Sequence, residues 1–408
     1  MIGHKSLGSF ALNRSKWQEL MRHAGRAQAS AAQPVPSRLR EIHDFGSNPG
    51  ALRMFTFVPP RLAAKSAPVV VLHGCTQTAA GYEYGAGWST LAERYGFALL
   101  APEQQPANNP KGCFNWFEPG DIRRGAGEAL SIRQMIEAMV VENDIDRRRV
   151  FVTGLSAGGA MTSVMLACYP EVFAAGAIVA GLPYGCAANV QQALDSMFQS
   201  RARSTQEWGD LVRSASPHRG PWPRVSIWHG GADKTVVPNN AREILKQWTD
   251  LHGLSATPSA RTVVDGYPRQ VWHDAAGAEA IESYAITHMA HGTPLATGEA
   301  DDRCGAAGPF LLDVGISSSY HIAKFFGLAN AIVRAPSTVR ETATLAPDLR
   351  DVGGGATTFA KAEVLEGEVL DKESAAKPTH TNAPPSSPAG ISAVINRALT
   401  AAGLMKGR

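Results

Sequence analysis

Gly154-Leu155-Ser156-Ala157-Gly158-Gly159 sets a serine between glycines two residues away on either side. The run follows an apolar segment, Arg149-Val-Phe-Val-Thr153, and opens a helical stripe of Met161, Val164, Met165 and Cys168, so it reads as strand, sharp turn and helix. Such a turn holds its central residue in a strained conformation and leaves no room for side chains against the strand and helix, hence the glycines. The Ser156 hydroxyl then projects above the carboxyl edge of a sheet, placed for nucleophilic attack on a carbonyl carbon. Read otherwise, this is a glycine-rich turn with a structural serine.

A serine alone is a poor nucleophile, and the order Ser, Asp, His requires its partners downstream. Asp233 lies in Gly230-Gly-Ala-Asp-Lys-Thr-Val-Val-Pro238, between the strand Val225–His229 and a helical face of Ala241, Ile244, Leu245, Trp248 and Leu251. A carboxylate in that loop shares the sheet edge of Ser156. Asp250, Asp265 and Asp274 fall at a helix end or beyond the edge and read as solvated surface groups. For the base, His291 sits in Ala290-His-Gly-Thr-Pro294, the turn-rich exit from a strand over residues 282–289. His288, inside that strand, reads as a packed core histidine, and with His291 it makes only a weak metal pair that lacks a third ligand. His321, at a helix start, is the lesser alternative base, while His73 and His229 end strands and shape loops. Donors for a developing oxyanion would be the N–H of Ala157 and, from His73-Gly-Cys-Thr-Gln77, the N–H of Cys75. Cys75 as a nucleophile is the weaker reading, because no His/Asn context surrounds it.

These residues need a scaffold that brings three loops to one edge. Val69–Leu72, Phe97–Ala101, Arg149–Thr153, Ala174–Ala180 and Val225–Trp228 are short apolar runs of the kind buried on both faces of a parallel sheet. Helical periodicity fills the intervals at 126–142, 158–169 and 239–251. The alternation implies an α/β fold, a mostly parallel, doubly wound sheet with helices on both faces. Residues 187–223, with polar runs and Pro217, Pro221 and Pro223, break the alternation and read as a small insertion over the carboxyl edge. Residues 41–333 are thus expected to form the catalytic domain.

The ends differ in composition. Residues 1–40 carry seven Lys or Arg and one acid, so this arm is +6 within a chain of net +3. Trp17, Leu20, Met21, Ala24 and Ala27 give it a short basic amphipathic helix that packs on the body or meets an interface. Residues 334–390 are an Ala/Thr/Pro/Ser/Glu-rich linker, and residues 391–408 recover a short amphipathic helix through Ile391, Val394, Ile395, Ala398 and Leu399. The Gly353-Gly354-Gly355 run lacks the strand and the Lys-Ser/Thr of a phosphate cradle.

Over all 408 residues, 44% are hydrophobic and 18% charged, a globular balance with no field that calls for nucleic acid. Five cysteines without a C-x-x-C pair argue against a zinc ribbon or a small disulfide scaffold, and no cofactor or metal is called for. No apolar run is long enough for a membrane span. Arg14, Lys16, Glu19 and Arg22 interrupt any secretory leader in the first thirty residues, so the chain reads as cytoplasmic.

Leu72-His-Gly-Cys-Thr-Gln77, Cys113-Phe-Asn-Trp-Phe117, Gly154-Leu-Ser-Ala-Gly-Gly-Ala-Met161, Ala180-Gly-Leu-Pro-Tyr184, Trp228-His-Gly-Gly-Ala-Asp233 and His291-Gly-Thr-Pro294 together resemble the polyhydroxybutyrate depolymerase family of esterases, over about residues 45–330. The resemblance implies an α/β-hydrolase fold, hydrolysis of short-chain polyhydroxyalkanoate esters, and kinship to feruloyl and acetylxylan esterases. It carries the family's nucleophile onto Ser156, its acid onto Asp233, its base onto His291 and its oxyanion donors onto Cys75 and Ala157. Members are often secreted, which sets an extracellular expectation against the cytoplasmic one. Trp116, after the second strand, would flank an ester chain or cap the core. Cys75 and Cys113 share the carboxyl edge and could bridge, which would require an oxidising compartment. The expected partner is a polyester or small ester. The competing functions are a polyester-granule binding protein with a vestigial hydrolase body, against which the complete triad stands, and a serine peptidase on the same fold. Oligomeric state is not legible.

Overall fold

Val69 and Val71 pack into one buried cluster, Val70 and Leu72 into another. That period-two split is why the run contains no polar residue: both faces of the strand are covered. The structure is a computed structural model, and it describes residues 37–329. The basic arm helix, the linker at 334–390 and the terminal helix at 391–408 lie outside the described residues.

The chain runs β1 (Arg40–Ile42), β2 (Arg53–Phe57), β3 (Pro68–Leu72), α1 (Ala79–Ala86), α2 (Trp88–Tyr95), β4 (Ala98–Glu103), α3 (Gly127–Glu142), β5 (Val150–Leu155), α4 (Ala157–Cys168) and β6 (Phe173–Val179). It continues through α5 (Val190–Gln199), α6 (Thr205–Ala215), β7 (Arg224–Gly230), α7 (Asn239–Leu251), β8 (Ala260–Val264), β9 (Tyr267–His273), β10 (Glu279–Ile286), β11 (Thr293–Leu295), β12 (Leu311–Asp313) and α8 (Ser318–Phe325). Ten strands form one sheet in the order β1-β2-β4-β3-β5-β6-β7-β10-β9-β8. The run from β4 to β10 is parallel, and antiparallel strands close both ends. Helices α3 to α7 contribute to the cluster on one face, and α1, α2 and α8 to the cluster on the other. The doubly wound reading holds.

Residues 187–223, expected as an insertion, carry regular structure between β6 and β7. They contain two helices, and α6 lies along α7. The fully buried indole of Trp208 donates to the Glu243 carboxylate at 2.6 Å, and Arg213 pairs with Asp250. Polar residues on the outward side of α6 hide a single buried stripe of Trp208, Gly209 and Val212, which is enough to seat it. The strand expected at 282–289 is instead β10, ending at Ile286. His288 is correspondingly not a packed core residue: it is exposed in the turn after β10 at φ 61°, where the chain reverses.

Candidate active site

The turn between β5 and α4 carries Ser156 at φ 58°, ψ −114°, a left-handed conformation strained for any residue with a side chain. Two contacts enforce it. The Ser156 N–H donates to the Val179 carbonyl at the end of β6, and a Cβ placed on Gly158 would lie 2.2 Å from the Leu72 carbonyl oxygen. Only glycine lets α4 start that close to β3.

Two loops from neighbouring parallel strands meet this turn. Asp233 follows β7 and His291 follows β10, and β10 pairs directly with β7. The His291 ring bridges the other two: Nδ1 is 2.7 Å from Asp233 Oδ2, and Nε2 is 2.9 Å from Ser156 Oγ. Because an ionised carboxylate accepts only, the ring proton sits on Nδ1, and Nε2 presents a lone pair to the serine hydroxyl. Ser156 and His291 keep 8% and 9% of their surface accessible, whereas Asp233 keeps 3%. The pair that would meet substrate thus reaches the surface, and the acid is sealed behind it.

Asp233 is over-supplied with donors. The N–H groups of Thr235 and Val236 both bind Oδ1, at 2.8 and 3.0 Å. Burial by itself would raise the carboxyl, but the charges and hydrogen bonds of His291 and His229 outweigh it and hold the group below the usual carboxylate range. It stays ionised. His229 was expected only to shape a loop, and it does, with Nε2 donating to the Val236 carbonyl at 2.8 Å. The same nitrogen also lies 3.4 Å from Asp233 Oδ2. The i, i+4 spacing of His229 and Asp233 was the available signal for that second contact.

Ala157 is the first residue of α4, and Cys75 lies inside a tight bend in which Thr76 takes φ 66° and the Gly74 N–H is held by the Gln77 side chain. Among the described residues no acceptor takes the N–H of either Ala157 or Cys75, so both amides are available. The bend lies on the serine turn: the His73 carbonyl oxygen would be 2.6 Å from a Cβ at Gly158. Cys75 is bonded to Cys113 in a disulfide, so it carries no free thiol to act as a nucleophile. Cys168, Cys186 and Cys304 are buried free thiols.

The remaining candidates lie elsewhere or in supporting positions. Trp116 is buried, edge-on to Phe117 at 5.2 Å, within the cluster that also holds Cys75, Cys113 and Ala157. His321 binds Asp265 at 2.9 Å, Asp250 binds Arg213, and Asp274 closes a turn by accepting from Ala276 and Ala278. No group of three or more His, Cys, Asp or Glu among the described residues is arranged to hold a metal ion. No helix among them is long and apolar enough to cross a membrane.

The chain is similar to several known esterases. A family model described as esterase PHB depolymerase matches residues 52–269. Poly(3-hydroxyalkanoate) depolymerase C of Paucimonas lemoignei is 49% identical over 291 residues, 71% of this chain and 70% of that protein. Feruloyl esterase B of Neurospora crassa is 35% identical over 308 residues, 74% of this chain and 96% of that protein. Among solved structures, acetyl xylan esterase from Aspergillus awamori aligns with a TM-score of 0.60 at 28% identity, covering 71% of this chain and 99% of that one.

Proposed function

The chain belongs to the esterase PHB depolymerase family of α/β-hydrolases and is a carboxylic ester hydrolase of the serine class, and from that premise we propose that it cleaves short-chain polyhydroxyalkanoate esters with Ser156 as nucleophile, His291 as base and Asp233 as the orienting acid. The observation that supports the assignment is the hydrogen-bonded chain from Asp233 Oδ2 through the His291 ring to Ser156 Oγ. Ser156 Oγ attacks the ester carbonyl as its proton passes to His291 Nε2, and the imidazolium is stabilised by the ionised Asp233 behind it. Negative charge on the carbonyl oxygen is taken by the N–H groups of Cys75 and Ala157. His291 returns the proton to the departing alcohol, leaving the acyl group on Ser156. A water molecule, deprotonated by the same ring, then releases the hydroxy acid.

Identity of 49% to a polyhydroxyalkanoate depolymerase favours an aliphatic hydroxyacid ester. A second reading, an aromatic or acetyl ester of a plant polysaccharide, is favoured by the alignment along 96% of a feruloyl esterase. Rates measured side by side on 3-hydroxybutyrate oligomers, methyl ferulate and acetylated xylan separate them. The oligomer is expected to be the fastest substrate. A higher kcat/KM on either of the other two would replace the first reading by the second.

A further inference from the structure

Gln104, the first residue after β4, spends every polar atom of its side chain inside the protein. Its Nε2 donates to the Cys113 carbonyl at 3.0 Å and to the Glu128 carboxyl, and its Oε1 accepts from the Asn108 side chain at 2.8 Å and from the Gln105 N–H at 2.9 Å. Two acceptors on one side and two donors on the other fix the amide's orientation. Its own N–H donates to His73 Nε2 at 3.1 Å. His73 must therefore carry its proton on Nδ1, which donates to the Gly74 carbonyl at 2.8 Å.

That last bond reaches the oxyanion side of the site. The Gly74 carbonyl and the Cys75 N–H belong to one planar trans peptide and point in opposite directions, so holding the carbonyl aims the N–H. The same residue is held a second way, by its disulfide to Cys113, whose carbonyl Gln104 grips. Both restraints on Cys75 converge on Gln104. Behind it, Glu128 is fully buried at the start of α3, with its second oxygen taken by the Asn115 N–H at 2.9 Å. A buried network with all its members satisfied is rigid, and a donor fixed before charge develops needs no reorganisation during reaction.

We infer that Gln104, braced by Glu128, is a positioning residue for the oxyanion hole, acting through His73 and Cys113 to aim the Cys75 N–H. The inference rests on the reading above in which that N–H binds the oxyanion. Gln104→Met keeps the side-chain length and removes the amide. On a soluble p-nitrophenyl ester its kcat should fall by about 10- to 100-fold with KM within about twofold, less than the roughly 10²- to 10³-fold seen when an oxyanion donor is deleted outright. The readout specific to positioning is inhibition by an alkylboronic acid, which forms a tetrahedral adduct on Ser156. Its Ki should rise by the same factor as kcat/KM falls, while Ki for a neutral, non-reacting ester analogue stays fixed. Glu128→Ala, which frees the Gln104 amide, should follow the same line and serves if Gln104→Met folds poorly. A folded variant of either kind with unchanged kcat and unchanged boronic acid Ki overturns the inference. If Ser156→Ala keeps its turnover, or the boronic acid does not compete in the parent protein, the parent reading falls and takes this one with it.

Discussion

The Ser156 N–H lies 2.9 Å from the Val179 carbonyl, so the strained serine turn is pinned to the end of the adjacent strand by its backbone and not by its hydroxyl. Ser156→Ala should therefore leave thermal stability within about 1 kcal/mol, as for a side chain outside the core. Turnover of soluble esters should drop on the order of 10⁴- to 10⁶-fold. A circular-dichroism melt beside an ester assay tests both halves. Residual activity above about one per cent would point to another nucleophile.

Asp233→Asn keeps the shape of the side chain but can offer an amide hydrogen to His291 in place of an acceptor, favouring the wrong ring tautomer. The expected loss is on the order of 10⁴ in kcat. His291→Ala should cost at least as much, and neither change should alter the ranking of substrates, since neither side chain shapes the pocket. His321→Ala, whose ring pairs with Asp265, should leave kcat within about twofold. An equal loss in His291→Ala and His321→Ala would show that the base has been misassigned.

Glu128 should give the protein a pH-dependent stability. Burial raises its carboxyl, the Asp121 charge adds to this, and the Asn115 and Gln104 hydrogen bonds oppose it, with the net effect that the group is pushed up to about 8. A group whose folded pKa lies above its unfolded one binds its proton more tightly when folded. Its contribution is whole below the unfolded value near 4.5 and is lost as pH rises through about 8. Glu128→Gln removes that dependence, so its melting temperature relative to the parent should climb between pH 5 and 8, by the equivalent of a few kcal/mol at most. A difference that stays flat across this range would mean that Glu128 titrates normally.

The Cys75–Cys113 bridge closes a 38-residue separation, for which chain entropy predicts about 4 kcal/mol of stabilisation. Replacing both cysteines by serine, or reducing the bond, should lower the urea midpoint accordingly. It should also lower kcat, because one of the two restraints on the Cys75 N–H goes with it. Lower stability with kcat unchanged would confine the bridge to a structural role.

What the sequence disclosed is the part that local chemistry dictates. Ser156 is legible as the candidate nucleophile because its turn demands glycines at fixed offsets, and Asp233 and His291 as its candidate partners because chain order and strand ends leave few alternatives. Helices α5 and α6 stayed hidden, since their buried sides are narrow and their remaining residues polar. The hairpin β8–β9 was equally obscure, with exposed residues on both faces and Pro268 inside a strand. His288 was misplaced because β10 stops two residues before it. The Gln104–Glu128 contact spans 24 residues, and each of its members, taken alone, reads as an ordinary surface residue.

The three residues of the hydrogen-bonded chain come from loops after β5, β7 and β10, with Ser156 and His291 separated by 135 positions in sequence. No fragment that stops short of either Ser156 or His291 can carry the site, and its last member arrives only when β10 has docked beside β7. Closing contacts so distant in sequence is slow, because the entropy of a long loop is lost before any contact compensates it. During refolding, ester hydrolysis should consequently lag behind the recovery of helical signal, and its return marks completion of the sheet.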